Sequence, residues 1–170
     1  SGFVRSEGVG AVMLIPLSRA IADRHEIYAV IRGTGVSHGG KGLSLTSPNA
    51  QGMKTAMKQA FRQSGIDPRT VSYIEAHGIA SPMADGVEIH SLKTGYLEMA
   101  EEISSKPWDD PSYIGSLKPL IGHCEVASGM ASLIKVLCAF RHKVIPGIHG
   151  FTEPSGQISL NGSPLRLTSE

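Results

Sequence analysis

Gly8 to Leu17, GVGAVMLIPL, is a continuous apolar run bounded by glycines and closed by Pro16, a pattern that predicts a fully buried strand. A short amphipathic segment follows at Ser18 to Arg24. Glu26 to Val36, rich in Ile, Val and Tyr, predicts a second strand, with Gly33 and Gly35 marking a bulge or a close backbone approach. Residues 37–48 read as a loop. Asn49 stands where an N-cap belongs, and Met53, Ala56, Met57, Ala60 and Phe61 line one face of a helix that stops at Gly65. Its other face carries Lys54, Lys58 and Arg62.

After an Asp67-Pro68 turn, Val71 to Ala76 predicts a strand that runs directly into His77-Gly78. Asp85 and Glu88 have the spacing of an N-cap with a returning acidic partner, which opens a helix through Ile89 and Leu92 to about Tyr96. Glu98 to Asp110 is polar and reads as exposed. Tyr113 to Leu117 is the next strand, followed by a turn from Pro119 to His123. A helix then runs from Cys124 or Glu125 to about Arg141, with Val126, Met130, Leu133, Ile134 and Leu137 at helical spacing. No charge falls between Glu125 and Lys135, so the helix is expected to be buried in a layered protein. A short strand is expected near Leu165 to Leu167. Strands alternating with helices make the chain α/β.

Composition changes this picture little but excludes several functions. The 170 residues are 41% hydrophobic, enough for one sizeable core, and 16 basic against 15 acidic residues argue against an electrostatic nucleic-acid binder. No apolar run is long enough to span a bilayer and no signal peptide is visible, which places the chain in the cytoplasm. Cys124 and Cys138 lie fourteen residues apart on one predicted helix, too far along its axis to bond, so two free thiols are expected, with Cys138 in the core. The seven histidines form none of the close-spaced pairs typical of metal sites.

Two histidines follow two strands, at the strand ends where open α/β sheets place their chemistry. Each has a glycine neighbour, Gly78 after His77 and Gly122 before His123, leaving room for a substrate. A pair of neutral imidazoles donating Nε2 hydrogens to one oxygen would make an oxyanion or enolate site. Lys118 and Glu125 flank the second histidine, and a buried lysine would ordinarily need such a carboxylate partner. Cys124 opens another reading, a free-standing Cys/His thiol hydrolase, since a thiol at a helix N-terminus can have a lowered pKa. Against it, an unsupported cysteine is usually a small buried hydrophobe.

The segments SGFVRSEGVG, YIEAHG, IGSLKPLIGHCEVASGMASLIK and FTEPS, in this order, resemble the C-terminal half of a β-ketoacyl synthase, most closely the ketosynthase domain of a modular polyketide synthase. The resemblance implies a thiolase-like layered αβα arrangement, the second half of an αβαβα fold. It implies that residues 1–170 are the C-terminal part of such a domain, cut at both ends, with the nucleophilic cysteine on a segment preceding Ser1. By motif, His77 and His123 correspond to the two catalytic histidines, Lys118 to the supporting lysine and Glu125 to its partner. That assignment takes the nucleophile role away from Cys124. The family's reaction is decarboxylative Claisen condensation of a malonyl thioester. Its implied partners are an acyl carrier protein, which delivers the substrate on a phosphopantetheine arm, the N-terminal half of the same domain, and a second copy in a homodimer. No cofactor bound by this chain is implied.

One departure bears on activity. Where the family reads Thr-Gly-Thr after His-Gly, with hydroxyls for the pantetheine arm, this chain has Ile79, Ala80 and Ser81. Ser81 keeps one hydroxyl and Ile79 keeps none. A non-elongating or transfer-only relative is therefore a second expectation, and the isolated fragment is expected to be inactive.

Overall fold

The computed structural model describes residues 2–40, 47–104 and 106–169. Three parallel strands, β1 (Tyr73–Glu75), β2 (Ser112–Gly115) and β3 (Leu165–Leu167), form a sheet in that spatial order, with β2 in the centre. Ile74 faces Ile114 in the ladder and Ile114 faces Leu167, so one apolar row crosses the sheet. Ile114 in that row, and Leu165 at the start of β3, are fully buried. Ser112, equally buried, donates its hydroxyl to the Val71 carbonyl at 2.6 Å, so the polar group is not left without a partner.

Helices α2 (Ala50–Ser64) and α3 (Pro82–Ile103) pack against each other and the sheet. The Asn49 side chain caps α2 by accepting from the Gly52 amide at 2.9 Å, and Gly65 ends it at φ 65°, as the sequence signals predict. Phe61 of α2 meets the edge of Tyr96 of α3 at 5.2 Å between ring centroids. Charged side chains on the outer faces of both helices meet as well: Lys54 and Lys58 reach Glu98, and Arg62 reaches Glu102.

α3 differs from its expected form at both ends. It starts at Pro82 behind Ser81, so Asp85 lies inside the first turn and is not the cap, and it continues to Ile103 through residues read as exposed polar chain. Ser81-Pro82 is itself a good start signal, because proline at the first helical position loses no hydrogen bond. At the helix's far end Arg69 donates to the Ala100, Ser104 and Lys106 carbonyls, which extends order beyond the predicted stop.

Neither of the first two predicted strands forms. Within residues 8–17 and 26–36 only α1 (Leu17–Ala22) is regular, and Val9, Met13, Leu14, Ile31 and Val36 are exposed. Their apolar pattern is that of buried strands, but a strand also needs a neighbouring ladder, and none is offered among the described residues. Residues 33–36 instead lie along α2. The Thr34 and Val36 amides donate to the Gln63 and Gln59 side chains at 2.7 and 3.1 Å. A Cβ at Gly35 would fall 1.8 Å from the Ala56 carbonyl oxygen, and one at Gly33 2.2 Å from that of Ala60, so these glycines mark a close backbone approach. Positions 41–46 of the predicted loop lie outside the described residues.

After β2 come a single turn, α4 (Lys118–Ile121), a 3-10 turn at Glu125–Ala127, and α5 (Ser128–His142). α5 ends close to its predicted stop but begins at Ser128, later than the expected start at Cys124 or Glu125, and only Ser128 in it is buried; Cys138 and Phe140 are exposed, contrary to the core placement expected for Cys138. An uncharged helix signals that cover is needed and does not supply it. Both thiols are free. No helix among the described residues is long and apolar enough to cross a membrane.

Candidate active site

The site is built where β1 and β2 end side by side. The ladder closes with the Ala76 amide donating to Gly115 at 2.8 Å, and the chain then turns away through His77. Three successive amides in that turn find carboxylates on the first turns of α3. His77 and Gly78 donate to the two oxygens of Glu88 at 2.7 and 2.9 Å, and Ile79 donates to Asp85 at 3.0 Å. These bonds fix the loop although Gly78 and Ala80 both have positive φ. Burial raises the Asp85 pKa against the pull of its amide partners.

His123 arrives from the other side. Gly122 turns at φ 77°, a conformation glycine adopts without strain, and the N-terminal segment then clamps the histidine backbone. The His123 amide donates to the Val4 carbonyl at 2.8 Å and its carbonyl accepts from Ser6 at 3.0 Å. Phe3 sets its ring against the buried imidazole at 4.7 Å between centroids. The His123 and His77 rings lie 5.3 Å apart, nearly perpendicular at 84°, so the structure brings the two histidines together.

Their tautomers follow from their partners. The Glu125 amide donates to His123 Nδ1 at 3.0 Å, which makes that nitrogen an acceptor and leaves the proton on Nε2. The Ser128 hydroxyl, 2.7 Å from the same nitrogen, then donates as well. Lys118 Nζ lies 3.2 Å from His77 Nδ1 and also donates to the His77 carbonyl. An ammonium has only donors, so His77 too carries its proton on Nε2. His77 is largely open to solvent, yet partial burial of its ring and the adjacent Lys118 charge lower its pKa, with Glu88 opposing and His123 adding a little.

Lys118 is buried, and its pKa is lowered by that burial. The carboxylates that oppose the shift are Glu88, then Glu75 and Asp85. Glu125 is not among them. It pairs with Arg5 at 3.0 Å on the surface, so the expected Lys118–Glu125 pair is not made; the turn at Glu125, φ 50°, contributes its amide and directs its carboxylate outward. Ile79 and Ser81 sit on the same loop as His77, both half-buried, with Ser81 at the N-cap position of α3 but making no side-chain capping bond. Cys124 is buried with its sulfur 3.1 Å from the Ser6 hydroxyl and 3.8 Å from the Glu7 carbonyl, partners that supply no base for a thiol nucleophile.

Sequence reasoning missed Phe3 and Ser128, whose spacing from His123 carries no signal. It noticed Asp85 and Glu88 but gave them to a helix cap. A cue was available: amides in a strand-to-helix turn need acceptors, and acidic residues in the following first turns are well placed to provide them. A separate cavity of about 300 Å³, lined by Arg69, Ala100, Ser104 and Trp108, lies at the opposite end of α3 from this loop. Among the described residues no three His, Cys, Asp or Glu side chains converge as metal ligands would.

Residues 28–152 match the family described as the beta-ketoacyl synthase C-terminal domain. The chain is 53% identical over its whole length to the polyketide synthase PksR of Bacillus subtilis and 48% identical over 96% of its length to the polyketide synthase ThaG of Burkholderia thailandensis. It spans only 7% and 3% of those two proteins. Among solved structures, it is similar to an oxazolomycin ketosynthase domain of Streptomyces albus, with TM-score 0.88 and 36% identity over 99% of this chain and 28% of that one. A ketosynthase from module 6 of the bacillaene synthase of Bacillus subtilis matches 91% of this chain and 28% of its own, with TM-score 0.81 and 33% identity. The α/β arrangement around β1, β2 and β3 is accordingly thiolase-like. The chain belongs to the β-ketoacyl synthase family, as the C-terminal half of a ketosynthase domain.

Proposed function

We propose that this chain is the decarboxylating half of a polyketide synthase ketosynthase, and that His77 and His123 donate from Nε2 to the thioester oxygen of a malonyl unit. The observation that carries this reading is the pair of rings 5.3 Å apart, each with Nδ1 engaged by a donor. As the malonyl carboxylate leaves as CO2, its bonding electrons pass to the thioester as an enolate, whose charge grows on the oxygen between the two donors. The enolate carbon then attacks an acyl thioester held on a cysteine from the N-terminal half of the domain. A carbon–carbon bond forms and that cysteine departs as thiolate. Lys118 holds His77 in the donating tautomer. The malonyl unit is delivered on the phosphopantetheine arm of an acyl carrier protein, and the intact domain works as a homodimer in the cytoplasm.

The test is malonyl decarboxylation by the complete ketosynthase containing this chain. His77→Ala and His123→Ala are each expected to lower its rate by about 10²-fold or more, the scale of losing one donor to a developing oxyanion. Wild-type rates in both variants would refute the assignment. This chain by itself is expected to condense nothing.

Ile79 favours a second reading, transfer without elongation. It occupies the loop beside His77 with no hydroxyl to offer a pantetheine amide, and an unmade buried hydrogen bond costs about 1–3 kcal/mol. In the complete domain, Ile79→Thr combined with Ser81→Thr is expected to raise condensation relative to acylation. No change in either rate would remove this reading.

A further inference from the structure

Two residues before His77, Glu75 points into a network that the proposed chemistry does not use. Its side chain is 5% exposed and that of its ion-pair partner, Lys135 of α5, is 12% exposed. Oε2 accepts from Lys135 at 2.7 Å and from the Tyr73 hydroxyl at 2.5 Å, while Lys135 also donates to that hydroxyl at 2.8 Å. Burial, and then Glu75, push the Tyr73 phenol far above its ordinary pKa, so the hydroxyl keeps its proton and donates. The arrangement is closely fitted: a Cβ at Gly115, the residue facing Glu75 in the ladder, would fall 2.2 Å from the Tyr73 oxygen.

The other oxygen, Oε1, accepts from the amide of Leu117 at 2.7 Å. That bond lies beyond the last backbone rung between β1 and β2, where the two chains separate toward their loops. One carboxylate therefore spans the gap between the strand carrying His77 and the turn carrying Lys118, and is anchored through Lys135 to the helix that bears Ser128, the hydroxyl on His123. A buried ion pair by itself is weak evidence of stabilisation, since an apolar pair of similar volume often does as well. Reach to one particular amide is something an apolar pair cannot supply.

We propose that Glu75 is a positioning residue, whose side-chain acceptor on the Leu117 amide fixes that turn so that Lys118 stays against His77 Nδ1. The proposal rests on the reading of His77, His123 and Lys118 as the decarboxylating site. A misplacement of about 1 Å in such a constellation can lower a rate by about 10²-fold.

Two double variants of the complete ketosynthase separate positioning from bulk stability. Glu75→Gln with Lys135→Met and Glu75→Leu with Lys135→Met both abolish the ion pair, but only the glutamine variant keeps an acceptor for the Leu117 amide. The leucine variant is expected to lose at least about tenfold in kcat for malonyl decarboxylation with KM little changed. Its 15N-labelled His77 is expected to shift from the single Nε2–H tautomer to a mixture. The glutamine variant is expected to keep wild-type kcat within a few-fold and the wild-type tautomer. Equal kcat and equal His77 spectra in the two variants would overturn the proposal. Should the leucine variant not fold, Glu75→Ala with Lys135→Met removes the acceptor with less crowding and is judged by the same criteria. The imidazole spectrum reads positioning even in an enzyme that does not decarboxylate malonyl thioesters, so failure of the functional reading is recognised separately.

Discussion

The two imidazoles reach one tautomer by different means, a backbone amide on His123 and an ammonium on His77, and this makes them differently sensitive to change. Removing Lys118 frees His77 Nδ1, whereas no substitution at Glu125 other than proline takes its amide from His123. In Lys118→Met, His77 is expected to become a tautomer mixture with its pKa raised, because the repelling charge is gone while burial persists; a 15N titration measures both. An unchanged titration would show that the ammonium does not act on the ring. In the unaltered protein His77 titrates below the ordinary histidine value of about 6.5. Between the folded and unfolded pKa values the unfolded chain binds more protons, so the His77 contribution is complete above about pH 6.5 and fades as pH falls through the folded value. Replacing His77 with Ala is expected to flatten the pH dependence of stability on that acidic side, as read by denaturant titrations from pH 7 to 5.

At the scale of elements, the loop after β1 takes its shape from α3. Glu88 meets two consecutive amides, and Glu88→Ala leaves both without their acceptor. The variant is expected to cost about 1–3 kcal/mol in urea unfolding and to speed hydrogen exchange at His77 and Gly78, with the α2 cap at Asn49 unaffected. Unaltered exchange at those two amides would count against this role. Legibility followed the range of the interaction. The α2 boundaries at Asn49 and Gly65 depend on neighbours in sequence and were readable, as were β2, the short β3 and the strand leading to His77. The true start of α3 was hidden because Asp85 and Glu88 imitate a cap while serving a loop upstream. Lys118 and Glu125 looked like partners from seven residues apart, but the turn at Glu125 sends its side chain to Arg5, and the charges that support Lys118 come from β1 and α3.

Across the whole molecule, the apolar pattern reads as cover that the described chain does not provide. Residues 8–17 and 26–36 are composed like core strands but expose Val9, Met13, Leu14 and Val36, and α5 exposes Phe140. Burial and strand pairing depend on the complete fold, whereas the composition of a segment depends only on itself; that is why α2 and the strand before His77 were legible and residues 8–17 and 26–36 were not. Exposed apolar surface of this extent is sticky. The chain alone is expected to bind a hydrophobic dye strongly, and the complete ketosynthase, per mole, to bind much less. Equal dye binding in fluorescence titrations would mean that these segments stay open in the larger protein.

The carboxylates of Asp85 and Glu88 grip the loop by its peptide amides, and the side chains of Ile79, Ala80 and Ser81 take no part in that grip. The path of the loop and the chemistry of its side chains are thereby uncoupled. The side chains at 79 and 81 can therefore be exchanged while the backbone path, and the address of His77, stay as they are.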